Sequence, residues 1–164
     1  GDLKVESQED VGSTFSLTIA CALGQEEEQE EKVSMEKSNK IAGHVLVVED
    51  NKANQMFVGI VLRNAGLTFD TAVNGLEAIE RFKNGKYDVI LMDENMPKLN
   101  GIGATKEILA IEEEKGVEHT PIIALTANAL VGDRQIFMDA GMDEYLTKPI
   151  EPKQLIKVIG EMSA

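Results

Sequence analysis

The chain has 164 residues, of which 43% are apolar and 27% charged, a mix that suits one folded domain with an appendage and excludes a wholly disordered chain. With 29 acidic against 16 basic residues the net charge is -13, so no dominant basic surface is available to neutralise nucleic-acid phosphates, and no direct nucleic-acid partner is expected. No apolar run approaches the ~20 residues of a membrane-spanning helix, which predicts no membrane contact by this chain. The single cysteine, Cys21, excludes an internal disulfide and a cysteine-rich zinc site.

The first 43 residues have a different character from the rest. Polar and apolar residues alternate over residues 2–6 and 14–19, which predicts a β-hairpin with its loop at residues 8–12. Because a lone hairpin is marginally stable and the chain begins with Gly1, we expect a fragment of a longer protein. Residues 25–40 are polar and mostly acidic, as in a linker. The predicted organisation is a hairpin remnant at 1–23, a linker at 24–43 and a domain at 44–164.

From His44 onward, apolar runs alternate with segments of helical period. The runs are 45–48, 69–73, 87–92, 121–125 and 144–146, and the helical segments are 52–64, 75–84, 101–115, 129–140 and 151–162. Continuous apolar strands indicate burial on both faces and hence a parallel sheet. The sequence predicts an α/β fold, a doubly wound five-stranded parallel sheet with helices on both faces.

Polar residues stand where the apolar runs end. They are Glu49, Asp50, Asp93, Thr126 and Lys148. Ligands of doubly wound sheets bind beyond the carboxyl ends of the strands, and three carboxylates in one cleft repel one another unless a hard cation offsets their charge. This pattern predicts Mg²⁺, held by Asp50, Asp93 and a backbone carbonyl at Asn95.

The same residues suggest a reaction. Lys148 and Thr126 can bind an oxyanion, and Asp93 can act as a nucleophile on a phosphoryl group to form an aspartyl phosphate. One strand-end Asp alone is more often a helix cap or a turn residue, whereas five polar strand ends together favour a site. Five methionines are interpreted as core or rim packing and both histidines as structural or solvated. The methionines are Met56, Met92, Met96, Met138 and Met142, and the histidines are His44 and His119.

Four motifs resemble the receiver domains of two-component response regulators, whose fold is flavodoxin-like (CheY-like). They are VVEDN at 47–51, LMDENMP at 91–97 followed by Gly101, ALTA at 124–127 and DEYLTKP at 143–149. The resemblance implies that Asp93 accepts a phosphoryl group from a phosphohistidine, that Glu49 and Asp50 hold Mg²⁺, and that Thr126 and Lys148 contact the phosphoryl oxygens. It also implies a cis peptide bond between Lys148 and Pro149. Asn100 replaces an Asp common in the family, at a loop position outside the chemistry.

The segment VGSTFSL at 11–17 resembles the closing turn and strand of a sensor histidine kinase catalytic domain. Together the two resemblances imply part of a hybrid sensor histidine kinase. The fragment is then a phosphoacceptor that catalyses its own phosphorylation and dephosphorylation, while the parent protein is the kinase. The implied partners are a phosphohistidine domain of such a kinase and a histidine phosphotransfer protein. A cytoplasmic location follows, although the parent protein can be membrane-anchored.

Two other functions stay open at this stage. One is a phosphohydrolase of the haloacid-dehalogenase type, but that family has a second Asp two residues after the nucleophile, where this chain has Asn95. The other is a protein-interaction domain that is not phosphorylated, whose usual mark is a substituted pocket.

A switch is also predicted. Phosphorylation would draw Thr126 inward, and the space vacated would let Tyr145 rotate from an outward to an inward position. The surface formed by the helix at 129–140 and the strand containing Tyr145 would then change. The alternative is that Tyr145 is a static, half-buried strand residue.

Overall fold

The computed structural model describes residues 2–8, 12–18, 42–127 and 133–163, and in the first two ranges only the backbone. Cys21 and residues 24–41 of the predicted linker lie outside the described residues. The chain divides into two units, one ending at Lys37 and the other beginning at Ser38.

The first unit contains the predicted hairpin. Strand β1 (Asp2–Gln8) pairs antiparallel with β2 (Gly12–Thr18), with Leu3 opposite Leu17 and Val5 opposite Phe15. The first strand continues two residues beyond its predicted end, and the second begins two residues before its predicted start, so fewer residues separate the strands than the alternation suggested.

The second unit contains the predicted parallel sheet. Its strands are β3 (His44–Val48), β4 (Thr68–Ala72), β5 (Val89–Asp93), β6 (Ile122–Thr126) and β7 (Glu144–Thr147). They are hydrogen-bonded in the order β4-β3-β5-β6-β7, and every pair is parallel. All residues of β5 and β6 are buried, which explains why the sequence shows continuous apolar runs there rather than alternation.

Helices cover both faces of this sheet. They are α1 (Lys52–Asn64), α2 (Gly75–Asn84), α3 (Gly101–Lys115), α4 (Asp133–Asp139) and α5 (Pro152–Met162). Helices α1 and α5 contribute Leu62 and Leu155 to the core on one face, and α3 and α4 contribute Ile108 and Phe137 to the core on the other. The doubly wound arrangement is therefore confirmed. Residues 128–132, the predicted start of the fourth helix, lie outside the described residues.

Asparagines begin three of the helices. The side chains of Asn51, Asn74 and Asn100 accept hydrogen bonds from backbone N–H groups in the first turns of α1, α2 and α3. Each cap satisfies donors that the helix itself leaves free. Asn100, which departs from the common family residue, is thus a structural cap. In the described residues no helix has the length and apolar character needed to cross a bilayer.

The methionines differ in their environments. Met92 and Met142 are buried, and Met96 and Met138 pack against the core from partly buried positions. Met56 is 68% exposed on α1, so the prediction of a packing role is wrong for this residue. Its side chain lies on the outward face of α1.

His119 connects two elements at the amino ends of the strands. Its Nδ1 lies 2.8 Å from Glu112 Oε2 and its Nε2 lies 3.1 Å from Asp143 Oδ2. The same carboxylates accept backbone N–H groups of Thr120 and Ile122. Burial by itself would lower the pKa of His119, but the hydrogen bonds to Glu112 and Asp143 outweigh it and raise the pKa above its ordinary value of 6.5. Protonated His119 can donate to both carboxylates at once.

We expect the stability of the domain to fall as the pH rises through the pKa of His119. Because the pKa of His119 is raised in the folded state, its stabilisation is fully present below the pKa of 6.5 in the unfolded chain. The stabilisation is lost as the pH rises above the pKa in the folded state. The loss should be about 1 kcal/mol, because partly exposed ion pairs are weak. Urea unfolding at steps from pH 6 to pH 9 measures it. His119→Gln should remove this pH dependence, and an unchanged slope in that variant would refute the assignment.

Candidate functional site

The site lies where β3, β5 and β6 end. Glu49 directly follows β3, Asp93 is the last residue of β5 and Thr126 is the last residue of β6. The strand order changes direction beside β3, since β4 lies on one side of it and β5 on the other. In doubly wound sheets this point leaves a crevice at the carboxyl ends of the strands. The fold thus brings together residues that are far apart in the chain.

Three carboxylates form a cluster in this crevice. One oxygen each of Glu49, Asp50 and Asp93 lies within 4.8 Å of the other two. Glu49 and Asp93 are buried, whereas Asp50 is exposed. Two buried carboxylates beside a third create a strong negative potential that needs a nearby cation.

Lys148 supplies one positive charge to the cluster. Its Nζ lies 2.7 Å from Glu49 Oε2 and 2.9 Å from Asp93 Oδ2. Burial alone would lower the pKa of Lys148, but its hydrogen bonds to the two carboxylates raise the pKa above the usual value. The ammonium therefore stays charged. The Lys148–Pro149 peptide bond is cis, as the resemblance implied.

Asp93 itself is less acidic than an ordinary aspartate. Burial raises its pKa most, and the charge of Glu49 raises it further, while hydrogen bonds from Lys148 and the backbone of Asn95 act in the opposite direction. The net upward shift of the pKa means that one lysine does not fully offset the cost of the buried carboxylates. A further cation in the cluster would stabilise the charged form of Asp93.

Glu49 is held by the first turn of α1. Its Oε1 accepts a hydrogen bond from Asn54 Nδ2 at 3.0 Å and one from the Asn51 backbone at 3.3 Å. Gln55 Nε2 donates to the Glu49 carbonyl. Asn54 and Gln55 are not among the residues that the sequence pattern indicated. Their positions one turn after the Asn51 cap, facing back toward the strand end, are the pattern that could have indicated them.

A glycine allows the loop after β5 to approach the site. A Cβ on Gly101 would collide with the carbonyl oxygen of Asp93, so this position needs a residue without a side chain. The Asn95 backbone N–H lies 3.4 Å from Asp93 Oδ1, which brings Asn95 to the edge of the cluster. Its predicted role through the backbone carbonyl stays a prediction.

Thr126 and Tyr145 contact residues outside this cluster. Thr126 is fully buried, and its Oγ1 donates a hydrogen bond to Glu94 Oε2 at 2.8 Å. Tyr145 is half-buried on β7, where its ring stacks against Phe137 of α4 with the centroids 6.4 Å apart. The fold therefore brings together Glu49, Asp50, Asp93 and Lys148, with Thr126 on the neighbouring strand end.

Comparison with known proteins identifies the family. The family model of the response regulator receiver domain matches residues 45–160. The chain belongs to this family. As a receiver domain it is similar to those of hybrid sensor histidine kinases, among them the aerobic respiration control sensor protein ArcB of Escherichia coli, with 36% identity over 159 residues. That match covers 97% of this chain and 20% of ArcB, so the chain spans about a fifth of this relative's length.

Solved structures agree on the fold. The receiver domain of the sensor histidine kinase PA1611 from Pseudomonas aeruginosa, which has a magnesium ion coordinated in the active-site cleft, is 39% identical with a TM-score of 0.67, over 75% of this chain and 98% of that one. The receiver domain of Ssk1 from Saccharomyces cerevisiae, crystallised with the histidine phosphotransfer protein Ypd1, is 36% identical with a TM-score of 0.69, over 73% of this chain and 88% of that one. The predicted receiver fold is confirmed.

We expect Lys148→Met to destabilise the domain by about 2 kcal/mol at pH 7, because it leaves Glu49 and Asp93 without their counter-charge. The effect should be smaller than for a fully buried pair, since the Lys148 side chain is 22% exposed. It should shrink at acidic pH, where the raised pKa of Asp93 lets that carboxyl take up a proton more readily than an ordinary aspartate. Urea unfolding at neutral and at acidic pH measures both effects. The exposed Lys153→Met is the matched control, and an equal loss in the two variants would contradict the role of Lys148.

Proposed function

We propose that residues 44–164 accept a phosphoryl group on Asp93 from a phosphohistidine, in a reaction that requires Mg²⁺. The observation that carries this proposal is the position of Asp93 at the end of a fully buried strand, in contact with Lys148 and beside Glu49 and Asp50. The family relationship makes such a phosphoacceptor the expected chemistry of this crevice.

The transfer moves one phosphoryl group between two side chains. An oxygen of the Asp93 carboxylate attacks phosphorus, the bond from phosphorus to the donor imidazole nitrogen breaks, and the imidazole leaves with the electron pair of that bond. Lys148, already at Asp93 Oδ2, is placed to contact a phosphoryl oxygen and offset its charge. Hydrolysis of the aspartyl phosphate by water would restore Asp93 and release inorganic phosphate.

The acidic cluster fits Mg²⁺ because its donors are carboxylate oxygens and because one lysine leaves its charge incompletely offset. Asp50 and Asp93 are the proposed carboxylate ligands together with the Asn95 carbonyl. Glu49 is also proposed to hold the ion, and its oxygens accept hydrogen bonds from Asn54 and Lys148 that fix its position. When bound, the ion would neutralise charge on the phosphoryl oxygens during transfer.

A surface for the phosphohistidine partner adjoins the site. Met56, Phe57 and Ile60 are exposed apolar residues of α1. A groove of about 250 Å³ separates α1 from the Pro149 loop, and Phe57 and Lys148 both line it. Since Lys148 also contacts Asp93, a partner seated on this apolar face can present its histidine to Asp93. The cocrystal of the similar Ssk1 receiver with Ypd1 supports a histidine phosphotransfer protein as the partner.

The response to phosphorylation is proposed to pass from Thr126 to Tyr145. The two residues lie on adjacent strands, where Thr126 pairs with Thr147 and Ala124 with Tyr145. Movement of Thr126 toward the phosphoryl group would change the packing of Tyr145 against Phe137 and hence the exposed surface of α4 and β7.

The whole protein is proposed to be a hybrid sensor histidine kinase. The match to ArcB covers 97% of this chain and so extends beyond the receiver into the hairpin unit, which supports residues 1–23 as the end of a kinase catalytic domain and 24–43 as a linker. We place the receiver in the cytoplasm, where ATP is available as the source of phosphoryl groups.

Asp93→Asn should abolish phosphorylation without unfolding the chain, because the amide keeps the shape of the carboxylate and loses its nucleophilicity. Incubation with acetyl phosphate and Mg²⁺ followed by intact-mass measurement tests this, with the wild type expected to gain one phosphoryl group. Removal of Mg²⁺ with EDTA should prevent the gain. Fast release of phosphate without a lasting adduct would favour a phosphohydrolase, and no change in wild type would favour an interaction domain that is not phosphorylated.

Phe57→Ala should slow phosphoryl transfer from a protein donor about tenfold, the effect of removing one central apolar contact from an interface, and should leave phosphorylation by acetyl phosphate unchanged. The donor is a phosphorylated histidine phosphotransfer protein from the same organism, with yeast Ypd1 as a second donor. Leu76→Ala is the matched control, since Leu76 is similarly exposed on α2. If Phe57→Ala slowed phosphorylation by the protein donor and by acetyl phosphate equally, Phe57 would act on the chemical step and not on docking of the partner.

A further inference from the structure

The hydroxyl of Thr126 already has an acceptor before any phosphoryl group is present. Its Oγ1 donates to Glu94 Oε2 at 2.8 Å. Thr126 is fully buried and Glu94 is half-buried. A hydrogen bond to an ionised carboxylate is stronger than one between neutral groups, so this contact fixes the position of the Thr126 side chain.

The backbone of Glu94 is fixed by its neighbours. Its N–H donates to the Leu125 carbonyl at 3.1 Å, and its carbonyl accepts from the Gly101 N–H at 3.0 Å. The first of these bonds continues the pairing of β5 with β6, in which Asp93 lies opposite Leu125. Glu94 therefore stands opposite Thr126, and its carboxylate is held within reach of the hydroxyl by the sheet itself.

The proposed function gives the same hydroxyl a second acceptor. A threonine hydroxyl carries a single proton to donate. It cannot donate to Glu94 and to a phosphoryl oxygen on Asp93 at the same time. Phosphorylation must therefore break the bond to Glu94, and the released carboxylate is left one residue away from a new dianion.

We propose that Glu94 is a positioning residue that holds Thr126 in the unphosphorylated arrangement and opposes the phosphorylated one. This inference rests on the proposed function, because the competing acceptor is the phosphoryl group on Asp93. Glu94 thereby lowers the affinity of the site for a phosphoryl group or its mimic through the Thr126 hydroxyl.

The test is a titration of the full chain with beryllium fluoride, a phosphoryl mimic, in the presence of Mg²⁺, followed by amide NMR spectra. Glu94→Ala should lower the Kd about tenfold, the size expected for loss of one competing hydrogen bond to a charged group. Glu94→Gln should give a smaller gain, since its amide oxygen still accepts a weaker bond from Thr126. Glu107→Ala, which removes an exposed acidic residue of α3, should leave the Kd unchanged.

Thr126→Val shows whether Glu94 acts through its hydrogen bond with Thr126 or through repulsion between its carboxylate and the bound anion. In that background the hydroxyl is absent, so Glu94→Ala should change the Kd by less than about twofold. The same tenfold gain in both backgrounds, or an unchanged Kd in Glu94→Ala alone, would overturn the inference. If the wild type failed to bind beryllium fluoride, both the inference and the proposed function would be overturned. If the wild type bound it and Asp93→Asn did not, the proposed function would stand, and the Kd of Glu94→Ala would then test the inference alone.

Discussion

The repulsion between buried carboxylates at the end of β3 and β5 is the constraint on which the site depends. Glu49 and Asp93 are both buried, and Lys148, reaching from the loop after β7, contacts both. The lysine keeps the two acids close in the folded state, yet the pKa of Asp93 stays raised, so the charge of the crevice is incompletely offset. A cation bound beside these carboxylates would reduce their mutual repulsion in the folded state. Binding of a metal ion here, as proposed, would therefore also stabilise the fold.

The arrangement also connects partner binding with chemistry. Lys148 contacts Asp93 on one side and lines the groove beside Phe57 on the other. A partner that fills the groove would exclude water from the lysine and strengthen its interaction with the transferred group. Next to Asp93 in the chain, Glu94 accepts a hydrogen bond from Thr126, which the proposed phosphorylation would break. If Asp93 is phosphorylated as proposed, Lys148 would favour the transfer and Glu94 would oppose it, and the balance between them would set how readily Asp93 is phosphorylated.

Much of the fold could be predicted because its signals are local. Continuous apolar runs identified β5 and β6, and the polar residues that follow the runs identified Glu49, Asp93 and Lys148. The contacts that could not be predicted depend on register and rotamer. Glu94 is one of 29 acidic residues, and only the pairing of β5 with β6 shows that it stands opposite Thr126. Met56 was interpreted as packing from its residue type, which does not show that its side chain lies outside the buried face of α1.

The strands of the sheet differ in how easily they can deform. Every residue of β5 is buried between two helical layers, so a shift of this strand would disturb both cores. Strand β7 is at the edge, has one neighbouring strand and buries only Leu146 among its four residues. Local opening therefore costs less at β7 than at β5, and backbone amides should exchange with solvent faster in β7. The proposed chemistry at Asp93 lies on a strand that resists deformation, whereas the proposed response at Tyr145 lies on an edge strand that can deform more easily.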